Sequence, residues 1–313
     1  MASFDRPSVL VLGGGGILGE AWMSAVLAGL SDASGFDARE CESFLGTSAG
    51  SIVAAALSAG VDPRVRLGDL PEPPPVSEGA ADDDGGALRR VLEAGMAAGG
   101  AAAAPLVALG LRSTQPGGAL LRRAALSRVP PGRRSLQHLG RELERAGARW
   151  DGRLAVSAVE VESGRRVMFG TPGAPEASVG QAVEASCAIP GVFRPIVVDG
   201  RHYVDGGAWS PTNLDCAPVQ RGTRVLCLNP TGSMRPSRSS PFGGLGLLSR
   251  SVAALEALAL ERRGAQITVV APDAGSLAAI GPNLMDARPR SQVIAAGLAQ
   301  GHALASRSEP RAA

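Results

Sequence analysis

The chain has no lysine. Its 31 basic residues are all arginine, against 29 acidic residues in 313, which leaves a net charge of +2. A balance this even implies no bulk polyanion partner, and nucleic acid is not expected. Aromatic residues make up only 3% of the chain, so stacking platforms for bases are missing as well. The four cysteines, Cys41, Cys187, Cys216 and Cys227, form no C-x-x-C pair and no metal-ligand spacing. They read as buried free thiols, which suits a reducing, cytoplasmic setting. Histidine is equally scarce. His138 reads as a surface residue, His202 lies on a strand two positions before Val204, and His302 sits in a terminal stretch near Arg307 and Pro310. A hydrolase triad of Ser48, Asp205 and His302 is therefore disfavoured, because neither His202 nor His302 has a catalytic context. Long apolar runs are rare too. Ala94–Leu111 has no charge for 18 residues, but it is mostly Ala and Gly with Pro105 in the middle. It reads as a buried helix first, as a lipid-facing cap with peripheral membrane contact second, and least as a span. Met1–Pro7 carries an acid and an arginine ahead of the first apolar run and makes a poor secretion signal.

Glycine is abundant, with 42 residues, and hydrophobic residues reach 45%, so a folded globular chain is expected. Two glycine clusters organise it. Ser8–Leu12 is a short continuous apolar run, as for a strand buried on both faces of a parallel sheet. Gly13-Gly14-Gly15-Gly16-Ile17-Leu18-Gly19 comes next, then a helical run to about Leu30. Gly14-x-Gly16-x-x-Gly19 fits a dinucleotide fingerprint, which calls for an acidic residue at the end of the second strand. The second strand, at Phe44-Leu45, runs instead into Gly46-Thr47-Ser48-Ala49-Gly50 and on into a helix over Ser51–Ala59. Strand, sharp turn and helix with small residues flanking a central serine is a nucleophile elbow. With a nucleophile at Ser48, the first cluster reads as an oxyanion hole, in which the backbone N–H groups of Gly14, Gly15 and Gly16 converge on an oxygen that gains charge.

Between Asp62 and Ala148 the pattern is weakest. Pro71–Pro75 and Asp82–Gly86 read as exposed linker. Leu88–Leu126 reads as helical pieces broken by glycine, and Leu120–Arg149 as a solvated, arginine-rich helix pair. Leu154–Val161 and Arg166–Phe169 form a predicted hairpin, and Val179–Ala185 a short helix running into an irregular loop over Ala185–Pro195. Ile196–Val198 and Arg201–Val204 flank Asp199-Gly200, a tight-hairpin signal. Val225–Leu228 and Ile267–Val270 are predicted buried strands on either side of a helix from about Leu245 to Arg262. A terminal helix is expected over Gly281–Ala305. These elements predict an α/β three-layer sandwich with a mainly parallel central sheet and a helical cap or insert between about residues 62 and 148. Residues 8–217 form the main unit, and 218–313 complete the same domain.

Asp205-Gly206-Gly207 ends the second arm of the tight hairpin. A carboxylate there can take a serine proton directly if it is partly desolvated, since burial raises its basicity. The two glycines let the chain turn away from it.

Four segments in this order, Gly14–Gly19, Gly46–Gly50, Ala185–Phe193 and Asp205–Gly207, resemble the patatin-like phospholipase family. That family carries a glycine-rich loop, G-x-S-x-G, A-S-x-x-x-P-x-x-F and D-G-G/A. The resemblance covers about Ser8–Ala59 and Val179–Asn213. It implies a serine acyl hydrolase acting on lipid esters, with Ser48 as nucleophile, Asp205 as its sole partner, and no cofactor or metal. Gly19, Gly46, Gly50, Gly206 and Gly207 complete the motifs. One departure is Leu18, which stands where the family loop usually has arginine. Backbone donors survive that change, so hydrolysis is expected to survive, while the case for phospholipid as the substrate weakens. The second expectation is a non-catalytic lipid- or partner-binding member of the same family.

Overall fold

The computed structural model describes residues 5–68, 116–234 and 245–306. The proposed linkers at Pro71–Pro75 and Asp82–Gly86 and the uncharged Ala94–Leu111 segment lie outside the described residues.

The chain begins with β1 (Val9–Leu12), α1 (Gly16–Ser34), β2 (Ser43–Gly46) and α2 (Ala49–Ser58). After a helical turn at Val65–Gly68 come α3 (Pro116–Leu126), α4 (Gln137–Arg145), β3 (Leu154–Glu160), β4 (Arg166–Phe169) and α5 (Val179–Cys187). The remainder is β5 (Ile196–Val198), β6 (Arg201–Asp205), β7 (Arg224–Leu228), α6 (Leu245–Glu261), β8 (Gln266–Val270), α7 (Ala274–Ile280) and α8 (Arg290–Ser306).

These strands build one sheet of eight in the order β5-β6-β3-β2-β1-β7-β8, with β4 also paired to β3. Pairing is parallel for β3-β2, β2-β1, β1-β7 and β7-β8, and antiparallel for the hairpins β3-β4 and β5-β6 and for β3-β6. The mainly parallel sheet flanked by helices is the three-layer α/β fold expected from the sequence. Alternation along the strands sorts the layers. Leu10, Leu12 and Phe44 pack with residues of α1, α2, α5 and α8. Val9, Val11, Leu45, Val225 and Cys227 pack with Ala257 and Leu260 of α6 on the other face. The strands from the C-terminal third continue the same sheet, since β7 is bonded directly to β1. Helix α8 is held against α1 at Gly29, Gly297 and Gly301, where an added β-carbon would press on the facing helix. The indole Nε1 of buried Trp22 donates to Gln300 Oε1 at 2.9 Å across the same contact.

Several expectations need correcting. The irregular loop begins at Ala188, because α5 runs on through Ser186 and Cys187. A capping box starts this helix: Ser178 Oγ accepts from the Gln181 N–H and Gln181 Oε1 accepts from the Ser178 N–H. Ile267–Val270 is not a buried strand. It lies at the sheet edge, where Val269 is 40% exposed. Gly281–Ala305 is not one helix: α7 ends at Ile280, and α8 starts only at Arg290, behind Pro289. No helix among the described residues is long and apolar enough to cross a membrane.

The solvated helix pair is also only half right. Helix α3 buries Arg122 at 1% exposure. Its Nε donates to the Ala208 carbonyl at 3.1 Å and its Nη1 to the Gly164 carbonyl at 2.9 Å, and the guanidinium stacks 4.0 Å above the Trp209 ring. Burial, and to a lesser degree the Arg166 charge, pull this guanidinium down to about 10. The arginine therefore ties α3 to the turn after β6. Arg122→Ala is expected to lower stability by about 2–4 kcal/mol, because it leaves two carbonyls unpaired and removes the stacked cation. A urea midpoint within error of the unsubstituted protein's would contradict this.

Candidate active site

The turn after β2 places Ser48 at φ 51° and ψ −123°, as the N-cap of α2. Positive φ in a residue with a side chain costs of the order of 1–3 kcal/mol and survives only where the surroundings enforce it. Here the enforcement is backbone crowding. An added β-carbon on Gly46 would lie 2.8 Å from the Gly50 carbonyl oxygen, and one on Gly50 would collide with the Leu12 carbonyl. Only glycine lets the helix start so close to the ends of β1 and β2. The Ser48 side chain is thereby lifted off the sheet and stays half-buried.

Helix α5 supports the turn from the side. Ser186 Oγ accepts the Ser48 N–H at 2.8 Å, and Ser51 Oγ donates to the Ser48 carbonyl at 2.6 Å. The neighbouring Cys187 thiol is pushed far above its ordinary range, first by burial and next by the Asp205 charge. It is a packing group and not a nucleophile.

Asp205 ends β6 beside β3, where Ala158 is its register partner. Its backbone N–H donates to the Ala188 carbonyl at 3.0 Å, which joins the turn after α5 to the end of β6. The carboxylate is buried, at 6% exposure. Burial raises its pKa to about 6; hydrogen bonds from the Ser48 hydroxyl and from the Gly207 N–H, the latter at 2.7 Å, act in the opposite direction. Thus the structure brings the Ser48 hydroxyl and the Asp205 carboxylate together. Gly206 packs directly on Ser157, since a β-carbon there would run into its side chain and carbonyl.

The glycine loop faces the same point. A β-carbon on Gly14 would sit 3.5 Å from Ser48 Cβ, and α1 starts immediately afterwards, with Gly15 as its N-cap. The N-termini of α1 and α2 both open here, and each favours negative charge. One assignment fails: the Gly14 N–H donates to the Pro211 carbonyl at 2.8 Å, so it is not free to bind an oxyanion. Gly19 packs on Pro230, and its N–H closes back onto the Gly15 carbonyl at 2.8 Å. Leu18 is fully buried, and its N–H goes to the Leu284 carbonyl at 3.0 Å. Its side chain points into the core and not at the loop's open side.

The three histidines are elsewhere. His138 pairs with Glu142 at 3.2 Å, His202 with Glu162 at 2.7 Å and His302 with Asp32 at 3.7 Å, each with a side chain more than half exposed. No cluster of three metal-ligating side chains occurs among the described residues.

Beneath the elbow lies a polar layer that the sequence does not announce. Asn213 is fully buried in a left-handed conformation at φ 50°. Around it lie Thr47, Ser157, Ser210 and Thr212, all buried. The Glu256 carboxylate takes the Thr212 hydroxyl at 2.6 Å and the Leu214 N–H at 3.0 Å. Burial, with the Asp215 charge next, raises its pKa. In the sequence, Ser210-Pro211-Thr212-Asn213 carries only a turn signal.

A family model described as patatin-like phospholipase matches residues 84–217. Over that stretch the chain is similar to patatin-like phospholipases. The matched stretch contains Asp205 and the Ala185–Phe193 segment, while Ser48 and the glycine loop precede it. It is the tertiary structure that sets the Ser48 turn against the matched stretch. No curated protein matches the chain. The crystal structure of VipD from Legionella pneumophila is similar at 14% identity with a TM-score of 0.41, over 97% of this chain and 67% of that one.

Proposed function

We propose that this protein hydrolyses lipid carboxylic esters through Ser48 and Asp205. The observation that carries the reading is the meeting of a strained, accessible serine hydroxyl with a buried carboxylate whose pKa has moved up to about 6. The likeness to patatin-like phospholipases supports lipid esters as the substrate class. In the reaction, Ser48 Oγ attacks the ester carbonyl while its proton passes to Asp205. The oxygen that becomes negative is held by the N–H groups of Gly15 and Gly16 and by the α1 N-terminus. Collapse expels the alcohol, which takes the proton back from Asp205, and leaves an acyl group on Ser48. Water then adds to the acyl carbon, its proton going to Asp205 and on to Ser48 Oγ as the acid departs. We extend the proposal to peripheral contact with a lipid surface, to a cytoplasmic setting, and to residues 218–313 as part of the same domain as 8–217.

The pH dependence is set by Asp205. Only its ionised form accepts the serine proton, so kcat/KM on a soluble p-nitrophenyl ester is expected to fall tenfold per pH unit below about pH 6 and to level off above it. Stability should move the other way. A carboxyl whose folded-state pKa is raised stabilises the fold below its unfolded pKa, near 4, and that contribution is lost as pH rises through about 6. A rate profile flat from pH 5 to 8 would overturn the assignment of Asp205 as base.

The commitment of the Gly14 N–H to Pro211 favours, as a second reading, a binding protein with a reduced oxyanion hole. A fluorophosphonate probe separates the two. Labelling of Ser48 is expected, and folded protein that does not label would support the binding role.

A further inference from the structure

We infer that Asn213 is the positioning residue that fixes Ser48 relative to Asp205. The inference rests on the dyad proposed above.

The Asn213 side-chain amide touches both halves of that site from beneath. Nδ2 lies 2.8 Å from the Ser210 carbonyl, 3.0 Å from Thr47 Oγ1, 3.2 Å from Ser157 Oγ and 3.4 Å from the Gly206 carbonyl. Two of these neighbours are carbonyl oxygens, which only accept, so the amide orientation is settled by chemistry. Thr47 is the residue before Ser48, and Gly206 is the residue after Asp205. One amide therefore bridges the elbow to the Asp205 turn, which come from separate strands with β3 between them. Ser157 completes the bridge from β3, since its Oγ lies 2.9 Å from Thr47 Oγ1 and 3.3 Å from the Gly46 carbonyl.

Asn213 is itself held from three sides. Arg166 Nη1 donates to its Oδ1 at 3.2 Å, and the same guanidinium grips Asp215 through bonds of 2.7 and 2.8 Å. On either side of it in the chain, Thr212 and Leu214 are fastened to the single Glu256 carboxylate. Its own N–H and that of Thr212 both point at Ser210 Oγ, at 3.0 and 3.3 Å. A buried residue in a left-handed conformation and held this firmly is a fixed peg. Side chains on either side of a proton transfer must stay within a fraction of an ångström, and a shift of about 1 Å can lower the rate about 10²-fold.

The test uses Asn213→Gly, which tolerates the left-handed backbone, and measures the second-order rate of Ser48 phosphonylation between pH 5 and 9. The expected result is a fall of about 10²-fold in rate together with loss of the inflection near pH 6, because the serine no longer answers to Asp205. Combining it with Asp205→Asn should add little further loss, as for groups that act as one unit. A rate within threefold of the unsubstituted protein, or a lower rate with the inflection intact, would overturn the inference, since a merely structural residue leaves the pH profile in place. If Asn213→Gly does not fold, Thr47→Val decides. It removes the elbow-side hydroxyl that meets Asn213, along with that hydroxyl's contacts to Ser157 and the Thr212 carbonyl, and a full rate with an unchanged profile there overturns the inference equally. Failure of the dyad reading looks different: Asp205→Asn alone would then label as fast as the unsubstituted protein.

Discussion

Ser48→Ala is expected to reduce kcat/KM for ester hydrolysis by roughly 10⁴- to 10⁶-fold, which is the size of loss seen when a nucleophile is removed from a cooperating unit. Asp205→Asn should come within about tenfold of the same value, because an amide cannot accept the proton and the serine at neutral pH is otherwise a poor nucleophile. Neither change alters packing volume much, so both variants should unfold at urea midpoints close to that of the unsubstituted protein. Removing the buried carboxylate charge should even relieve a desolvation penalty in Asp205→Asn, in keeping with the direction of its pKa shift. Measured with p-nitrophenyl esters on freshly purified protein, retention of more than a few per cent of activity by Ser48→Ala would end the proposal. Loss in Ser48→Ala alone, with Asp205→Asn fully active, would keep the nucleophile and dismiss the base.

The second large effect concerns stability and needs no assumption about chemistry. Gly50→Ala is expected to destabilise the fold by about 4 kcal/mol or more, or to prevent folding altogether. Its new methyl would be driven into the carbonyl oxygens of Leu12 and Gly13. These belong to the end of the central strand β1, bonded on both edges, and a backbone atom in that position cannot step aside as a side chain would. Gly60→Ala provides the contrast. It has φ 81° with nothing within 4 Å of the added carbon, so it should carry only the left-handed penalty of about 1–2 kcal/mol. Urea unfolding followed by circular dichroism compares them directly. Equal midpoints for the two variants would mean that α2 does not start hard against β1.

This contrast also shows why some glycines were readable in advance and others were not. Gly46 and Gly50 announced themselves because they flank a serine between a short apolar strand and an Ala-rich helix, all within one stretch of chain. The tight β5-β6 turn was equally local: Asp199 and Gly200 take φ of 48° and 72°, as that dipeptide predicts. By contrast, Gly14, Gly15 and Gly16 look alike in the sequence, yet the Gly14 N–H is taken by a carbonyl at Pro211. Nothing in a run of glycines says which amide will face a strand end and which will face open space. Arg122 misled for the same reason. On a helix rich in arginine it reads as solvated, and only the approach of Gly164 and Ala208 from distant elements makes its burial tolerable.

By itself the sequence determined the elements whose cause is local: the apolar strands, the elbow that carries Ser48, the hairpin turns, and the small-residue turn that follows Asp205. Tertiary structure alone decided that the Gly14 amide beside the serine is taken, how far the Asp205 carboxyl is desolvated, and that a buried asparagine would bridge the two loops. The physical reason is range. Backbone strain and hydrophobic periodicity are fixed by neighbours within a few residues, whereas burial, electrostatics and hydrogen-bond partnership depend on groups brought together from strands that are far apart in the chain.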